Sequence, residues 1–389
     1  MVHPIVKVTR KGAARVASGH PWIFRSDIAD TGNAAFGDAV TVAEPSGRAL
    51  GTALYSTTSQ IALRLLSRKP EPIDKAFLHA RIEAALALRE QFVHNTNAYR
   101  LVYSEADQLP GLIVDKYGDY LVVQTLNQGM DRRAAEIAEC LNELLQPRAI
   151  VARNDVSVRA KESLPIETKV LHGEPPAPTE VMMNGLQLSV DLMGGQKTGI
   201  FLDQRENYAA AANYAHGKAL DCFTCTGGFA LHIAPKCQSV EAVDVSAAAL
   251  ATAEANADRN SRTNIHWREA DAFNLLAGHV AAGRVFDTVV LDPPAFTKSR
   301  SNIDAALRGY KEINLRALQL LQPGGILITC SCSHHISEAA LLEVIAEASL
   351  DARRPLRVLE RRAQSLDHPI LLTVPETLYL KCLILQVTQ

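Results

Sequence analysis

Ala219-Leu220-Asp221-Cys222-Phe223-Thr224-Cys225-Thr226-Gly227-Gly228-Phe229 is an apolar strand that ends on an acidic residue and passes through a small-residue loop into a helix. Such a loop lets a ligand approach the backbone and the N-terminus of the following helix. Asp221, Phe223, Gly227 and Gly228 are therefore candidate cofactor contacts. In Val243-Asp244-Val245-Ser246, Asp244 closes the next strand, where its carboxylate, with Ser246 beside it, can accept hydrogen bonds from ribose hydroxyls. A third strand leads into Glu269-Ala270-Asp271-Ala272, where Asp271 and Ala272 can meet an adenine amino group, and a fourth ends in Asp292-Pro293-Pro294-Ala295-Phe296. Acidic or Gly-rich residues thus stand at the carboxyl ends of four successive strands, the edge at which open parallel sheets bind ligands. A single Gly-Gly pair is more often a plain turn; four motifs in register reverse that reading. A nicotinamide-binding fold wants Gly-x-Gly-x-x-Gly after its first strand, and this loop has only Thr226-Gly227-Gly228. Gly194-Gly195-Gln196-Lys197-Thr198 is not a phosphate loop either, since Gln196 stands where Gly should precede the lysine.

Outward from this stretch, apolar strands alternate with helices from about Asn184 onward, the mark of a parallel α/β sheet. Strands are expected at Ala219 to Cys222, Ser239 to Val243, Asn264 to Trp267, Phe286 to Leu291 and Gly325 to Thr329, with helices at Ala247 to Arg259 and Asn314 to Leu321. The front of the chain reads differently. Ile5 to Val8, Ala39 to Val42 and Ala49 to Tyr55 are short strands separated by turns at Gly32, Gly37 and Gly47, a small β barrel or sandwich. Pro70 and Pro72 break the chain before a helix over Ile73 to Val93. A hairpin of Leu112 to Val114 with Tyr120 to Leu126, a helix over Met130 to Gln146, and strands at Ala149 to Val151 and Val156 to Val158 give a ββαββ unit. Pro175-Pro176-Ala177-Pro178 closes it. Three domains are expected: 1–69, 70–178 and 179–389.

The composition sets bounds on function. Hydrophobic residues make up 47% and charged residues 21%, a globular balance, and no run of about 18 apolar residues could span a bilayer. The expectation is a cytoplasmic protein. Seven cysteines in a 389-residue chain without a secretion signal point to reduced thiols rather than a disulfide framework. The net charge of −2 hides an uneven distribution. Residues 1–69 hold nine Lys/Arg against four Asp/Glu, whereas 70–178 hold twelve against sixteen and the remainder nineteen against twenty-two. A positive front on an acidic body suits contact with phosphates.

The fifth strand runs Ile326-Leu327-Ile328-Thr329 into Cys330-Ser331-Cys332-Ser333, bringing thiols to the same edge as Asp292. Methylation of pyrimidine C5 needs such a group, because that carbon is a poor nucleophile until a thiolate adds to C6. Cys332 is favoured as the nucleophile over Cys330, which falls inside the buried strand, and Asp292 is placed to hydrogen-bond the pyrimidine edge. The methyl donor implied is S-adenosylmethionine. Zinc is the competing use of Cys222, Cys225, Cys330, Cys332, His334 and His335, but metal in the Cys222–Cys225 loop would block the ligand that the other motifs imply, so no metal is expected.

The chain resembles the bacterial large-subunit (23S) ribosomal RNA cytosine-5 methyltransferases with an N-terminal PUA domain. The resemblance covers essentially the whole chain. It rests on Gly19-His20-Pro21-Trp22-Ile23-Phe24, on Glu105-Ala106-Asp107-Gln108-Leu109-Pro110-Gly111-Leu112-Ile113-Val114-Asp115, and on Gly195-Gln196-Lys197-Thr198-Gly199-Ile200-Phe201-Leu202-Asp203-Gln204-Arg205. The Thr-Gly-Gly-Phe loop, Asp292-Pro293-Pro294 and Ser331-Cys332-Ser333 complete it. It implies a Rossmann-like class I methyltransferase domain preceded by a PUA-like RNA-binding barrel and a ββαββ connector, with Cys332 as nucleophile. Gln196 and Arg205 join the candidate cofactor contacts; Trp22, Arg25 and Lys197 are candidate RNA contacts. Two positions depart from the pattern: Ala295 stands where other RNA cytosine-5 methyltransferases have a second cysteine assigned to product release, and Cys225 stands where an aromatic residue is expected. The partner implied is ribosomal RNA, free or within the large subunit or its precursor, with self-association into a homodimer left open. An amino-methyltransferase using Asp-Pro-Pro, and a non-catalytic RNA-binding assembly factor, are the alternatives.

Overall fold

The computed structural model describes residues 3–195, 198–297 and 302–388. They form two compact units, Met1–Met182 with Val190–Ile200 and Leu366–Thr377, and Met183–Ser189 with Phe201–Ser365 and Leu378–Gln389. Among the described residues no helix is long and apolar enough to cross a membrane.

The first unit holds two sheets. The front one has six strands in the order Trp22–Phe24, Ile61–Ser67, Ala49–Tyr55, Ala39–Ala43, Ile5–Val8 and Ile28–Asp30. Its alternating residues Val6, Val8, Val40, Val42, Ala53 and Leu63 make the core, with Val16 from a helix over Arg10–Ala17. That helix has no counterpart in the strand pattern. Thr9 starts it by accepting the Gly12 N–H at 3.2 Å. At Gly51 a Cβ would lie 2.0 Å from the Ser67 carbonyl oxygen, so only glycine lets the two strands approach there.

The second sheet of this unit has five strands, in the order Glu167–Gly173, Ala149–Asn154, Tyr120–Thr125, Leu112–Tyr117 and Ala98–Tyr103, packed with helices Lys75–Phe92 and Ala134–Leu145. The ββαββ expectation needs correcting in three places. Ala98–Tyr103 is an additional strand, hidden in the sequence by the charge of Arg100, which pairs with Asp115 on the neighbouring strand at 2.8 and 2.9 Å. The strand expected at Val156 to Val158 is instead the approach to a 3-10 helix over Ser157–Glu162. There the buried Arg159 donates to the Pro165 carbonyl at 2.7 Å and to Asp131 at 2.8 Å, while Val158 stays 39% exposed. The true partner of Ala149–Asn154 is Glu167–Gly173. The single helix expected over Met130 to Gln146 is also divided, into Gln128–Arg132 and Ala134–Leu145.

Segment Leu366–Thr377 belongs to this unit. Asp367 is fully buried and accepts the Arg100 N–H at 2.9 Å, Arg89 donates to its carbonyl at 2.8 Å, and His368 lies 3.1 Å from its carboxylate. These are packing roles.

The second unit is built on seven strands: β1 (Gly217–Cys222), β2 (Cys237–Asp244), β3 (Ile265–Glu269), β4 (Phe286–Leu291), β5 (Leu321–Ser331), β6 (Leu356–Arg362) and β7 (Lys381–Val387). Their order is β3-β2-β1-β4-β5-β7-β6, parallel except for β7, which runs against both neighbours. Helices α1 (Arg205–Tyr214), α2 (Gly228–Ile233), α3 (Ala247–Arg259), α4 (Ala272–Ala281), α5 (Ile303–Leu320) and α6 (Glu338–Ala352) accompany the sheet. The buried Leu220, Val243, Val289, Leu291 and Leu327 of the strands pack with Tyr310, Ile313, Ala317, Leu341 and Ile345 of the helices. Helix α5 begins eleven residues before the expected Asn314, because Ala306, Tyr310, Ile313 and Ala317 extend its buried stripe backward. Leu321, expected as the last residue of that helix, and residues 322–324, expected between it and the next strand, already belong to β5.

Candidate active site at the carboxyl edge of the sheet

The β1 loop is tightly wound, with left-handed backbone at Phe223 (φ 65°), Cys225 (φ 50°) and Gly227 (φ 85°). Gly228 opens α2 against the ring of Tyr208, where a Cβ would lie 2.4 Å from the ring carbon bearing the hydroxyl. Asp221 at the strand end is fully buried; its Oδ2 accepts from the Thr224 hydroxyl at 2.6 Å and the Ala230 N–H at 3.0 Å. Its Oδ1 is buried with no hydrogen-bond partner among the described residues. Burial, reinforced by the charges of Asp292 and Asp244, pushes its carboxyl up to about 7. An orphaned acidic oxygen under a wound loop suits a cationic amino group, and the amino-acid end of S-adenosylmethionine carries one.

Asp244 at the end of β2 accepts the Cys225 N–H and the Ser246 N–H, each at 2.9 Å. These bonds fix both carboxylate oxygens and leave each with lone-pair capacity for a hydroxyl. Ser246 caps α3 by accepting the Ala249 N–H at 3.2 Å, and the exposed Asp271 caps α4 by accepting from Asn274 at 2.9 Å, with Ala272 buried behind it. Both side chains thus have structural work in addition to the expected ligand role. Phe223, Phe273, Phe296 and Tyr310 follow one another across this edge, with ring centroids 6.4, 5.8 and 4.6 Å apart.

The acceptor end lies beyond β4 and β5. Asp292 follows β4 and its Oδ1 accepts from the buried Gln204 amide at 3.0 Å; Asn207 in turn donates to the Gln204 oxygen at 2.7 Å. Cys330 lies within β5, fully buried and opposite Cys382 of β7. Burial holds its thiol well above the ordinary cysteine value. Cys332 stands one residue past the strand, half-buried, with its thiol donating to the Pro293 carbonyl at 3.9 Å. Around it, the Tyr310 hydroxyl accepts from Ser331 at 2.8 Å and lies 3.0 Å from the Ser333 hydroxyl. Lys381 donates to the carbonyls of Ser333 and Tyr379, both at 2.8 Å. Asp221, Phe223, Asp244, Asp292 and Cys332 thus share one edge of one sheet.

Other candidates lie elsewhere. Arg205 is buried at the start of α1 and pairs with Glu206 at 3.0 Å, so it is not the solvated charge that an isolated arginine would be. Trp22 is half-buried in the front sheet and donates its indole N–H to Glu105 at 2.7 Å. Arg25 donates to the Ser56 and Ser59 carbonyls at 2.8 to 3.0 Å. Gln196 and Lys197 lie outside the described residues. Gln204 stands within the motif of residues 195–205 and Lys381 is the one charged residue of an otherwise apolar strand start, yet the sequence alone gives neither a role, and Tyr310 carries no sequence signal.

Comparison with known proteins fits this geometry. Residues 6–68 match the PUA-like domain family, and residues 123–376 match the family of S-adenosylmethionine-dependent methyltransferases. The chain is 43% identical over 378 residues to the ribosomal RNA large subunit methyltransferase I of Shewanella denitrificans, covering 95% of each. It is 41% identical over 372 residues to the protein of the same name from Vibrio cholerae, covering 93% of this chain and 94% of that one. The fold superposes along its whole length on a crystal structure of a methyltransferase complexed with SAH (TM-score 0.85, 20% identity). A SAM-dependent methyltransferase from Streptococcus mutans matches with TM-score 0.83 and 20% identity, again over 100% of both chains. With a PUA-like front, a methyltransferase sheet bearing acidic strand ends, and this degree of identity, the chain belongs to the S-adenosylmethionine-dependent methyltransferases of the ribosomal RNA large subunit methyltransferase I family.

Proposed function

We propose that this enzyme forms 5-methylcytosine in 23S ribosomal RNA through a covalent bond between Cys332 and C6 of the base. The observation that carries the reading is the contrast at the end of β5: Cys330 is sealed within the strand, whereas Cys332 stands past its end beside Asp292-Pro293-Pro294. The target base, turned out of its helix, would enter this edge. Asp292, oriented by Gln204, would hydrogen-bond the cytosine edge. Sulphur adding to C6 makes C5 nucleophilic, and loss of the C5 proton then restores the ring and expels the thiolate. S-adenosylmethionine supplies the electrophilic methyl when bound. Asp244 would hold its ribose, Asp221 its amino group, and the backbone at Gly227 and Gly228 would let it approach α2.

Ribosomal RNA as substrate is supported by the names of the relatives and by the PUA-like match at the front. Residues 1–69 would bind RNA, with Trp22 and Arg25 among its contacts, residues 70–178 would connect, and 179–389 would carry the chemistry. The test is methyl transfer to deproteinised 23S RNA followed by mass analysis of the product nucleoside. The expected product is 5-methylcytidine; a methylated exocyclic amine would replace this reading by amino-group methylation, and no transfer would favour a non-catalytic RNA-binding role.

A further inference from the structure

We propose that Lys381 is the proton partner of Cys332: its amine takes the thiol proton as sulphur closes on the base and returns it when sulphur leaves. This rests on Cys332 being the nucleophile. Lys381 opens β7 in register opposite Ser331, and its Nζ reaches past the strand end to the Ser333 carbonyl, so that it contacts the chain on both sides of Cys332. The residue is 5% exposed, and among the described residues no carboxylate lies in ion-pair contact with it. An unpaired buried lysine is costly, and such positions gather at functional sites.

Its hydrogen bonds suit a group that changes charge. The ammonium has three N–H donors, two of which serve Ser333 and Tyr379. The neutral amine keeps two donors for the same two carbonyls and turns its lone pair to the third direction. Both protonation states therefore satisfy both carbonyls without rearrangement. Burial lowers the lysine to about 8, while the negative charges of a Cys332 thiolate and of Glu338 pull it up. The step balances: the S–H bond breaks, an N–H bond forms on Nζ, and the sulphur electron pair makes the S–C6 bond. When the S–C6 pair returns to sulphur, the ammonium reprotonates it; the C5 proton leaves separately to solvent water.

The test is alkylation of the full-length protein by iodoacetamide without RNA, followed across pH on the peptide that contains Cys332, since only thiolate reacts. Wild type should show an inflection below the ordinary cysteine value of about 8.5. Lys381→Met should raise the inflection by about one unit or more and slow alkylation at pH 7 about tenfold. Lys381→Arg, which keeps a cation, should restore low-pH reactivity but not RNA methylation, because guanidinium does not give up its proton. The other titratable groups facing the pair are Glu338 on α6, Tyr310 on α5 and Asp292 beyond β4, with Tyr379 and His334 beside the lysine. An inflection owed to them would persist in Lys381→Met. Unchanged binding of S-adenosylhomocysteine verifies the variant folds; if Lys381→Met does not bind it, the wild-type profile decides alone. A wild-type inflection at or above about 8.5, or superposed wild-type and Lys381→Met profiles, overturns the proposal. Because no RNA is present, this outcome is independent of whether Cys332 attacks cytosine.

Discussion

The two ends of the site are made differently. At the β1–β2 end, the acidic residues are held by groups of the adjoining loops and the helix start, mostly backbone: Asp244 by the N–H groups of Cys225 and Ser246, and Asp221 by the N–H of Ala230 and the hydroxyl of Thr224. At the β4–β5 end, the reacting groups are held by side chains from distant parts of the chain. Gln204 orients Asp292, Tyr310 meets Ser331 and Ser333, and Lys381 braces the turn at Ser333. Local scaffolding leaves a short motif; scaffolding assembled by tertiary folding does not.

The largest effect that would sharpen this contrast is at the backbone-held end. Asp244→Ala should weaken cofactor binding at least tenfold, since each hydrogen bond to a charged acceptor contributes about 1.5–3 kcal/mol. Calorimetric titration with S-adenosylmethionine checks it, and unchanged affinity would remove Asp244 from the site. Asp244→Asn should lose less, because it keeps one acceptor oxygen. In the first unit, Trp22→Ala should weaken RNA binding about tenfold, on the order of one lost base stack, and leave cofactor affinity unchanged. Equal RNA affinity in a filter-binding assay would leave Trp22 as a packing residue, tied to Glu105 and set against the His20 ring.

The smallest expected effect is in the pH dependence of stability. Asp221 has its carboxyl raised from 3.8 to about 7 in the folded protein, so the native state binds a proton that the unfolded chain releases. Its contribution is therefore fully present below the unfolded value and is lost as pH rises through about 7. Without cofactor, urea unfolding should show stability falling across that window, and Asp221→Asn should flatten the slope. A slope of equal size in Asp221→Asn would place its source elsewhere.

The same contrast explains what was legible in the sequence. The strand-loop-helix at Ala219 to Phe229, the carboxylate at Asp244 and the helix over Ala247 to Arg259 are local, period-driven features, and the parallel sheet follows from them. The end of β5 was readable to within two residues, Thr329 expected against Ser331 found, which was enough to put Cys330 inside the strand and Cys332 beyond it. What failed was non-local. Ala98–Tyr103 carries Arg100 in mid-strand, a poor strand signal until Asp115 arrives from the next strand. The run Val156-Ser157-Val158 alternates like a strand, yet Arg159 anchors inward and turns it into a 3-10 helix. The packing of Leu366–Thr377 with the first unit depends on Asp367 meeting Arg100, 267 positions away. Gln204 and Lys381 match the family, but their roles, like that of Tyr310, depend on partners that only folding brings beside them.

Covalent trapping shows whether Cys332 bonds to the base. RNA substituted with 5-fluorocytosine stalls elimination, because fluorine at C5 cannot leave as a proton does. Wild-type enzyme with S-adenosylmethionine should give an RNA adduct that survives denaturation, and Cys330→Ala, whose thiol is sealed in β5, should give it too. Cys332→Ala should give none while still binding cofactor. An adduct that survives Cys332→Ala, or methyl transfer by wild type with no trapped species at all, would contradict the account.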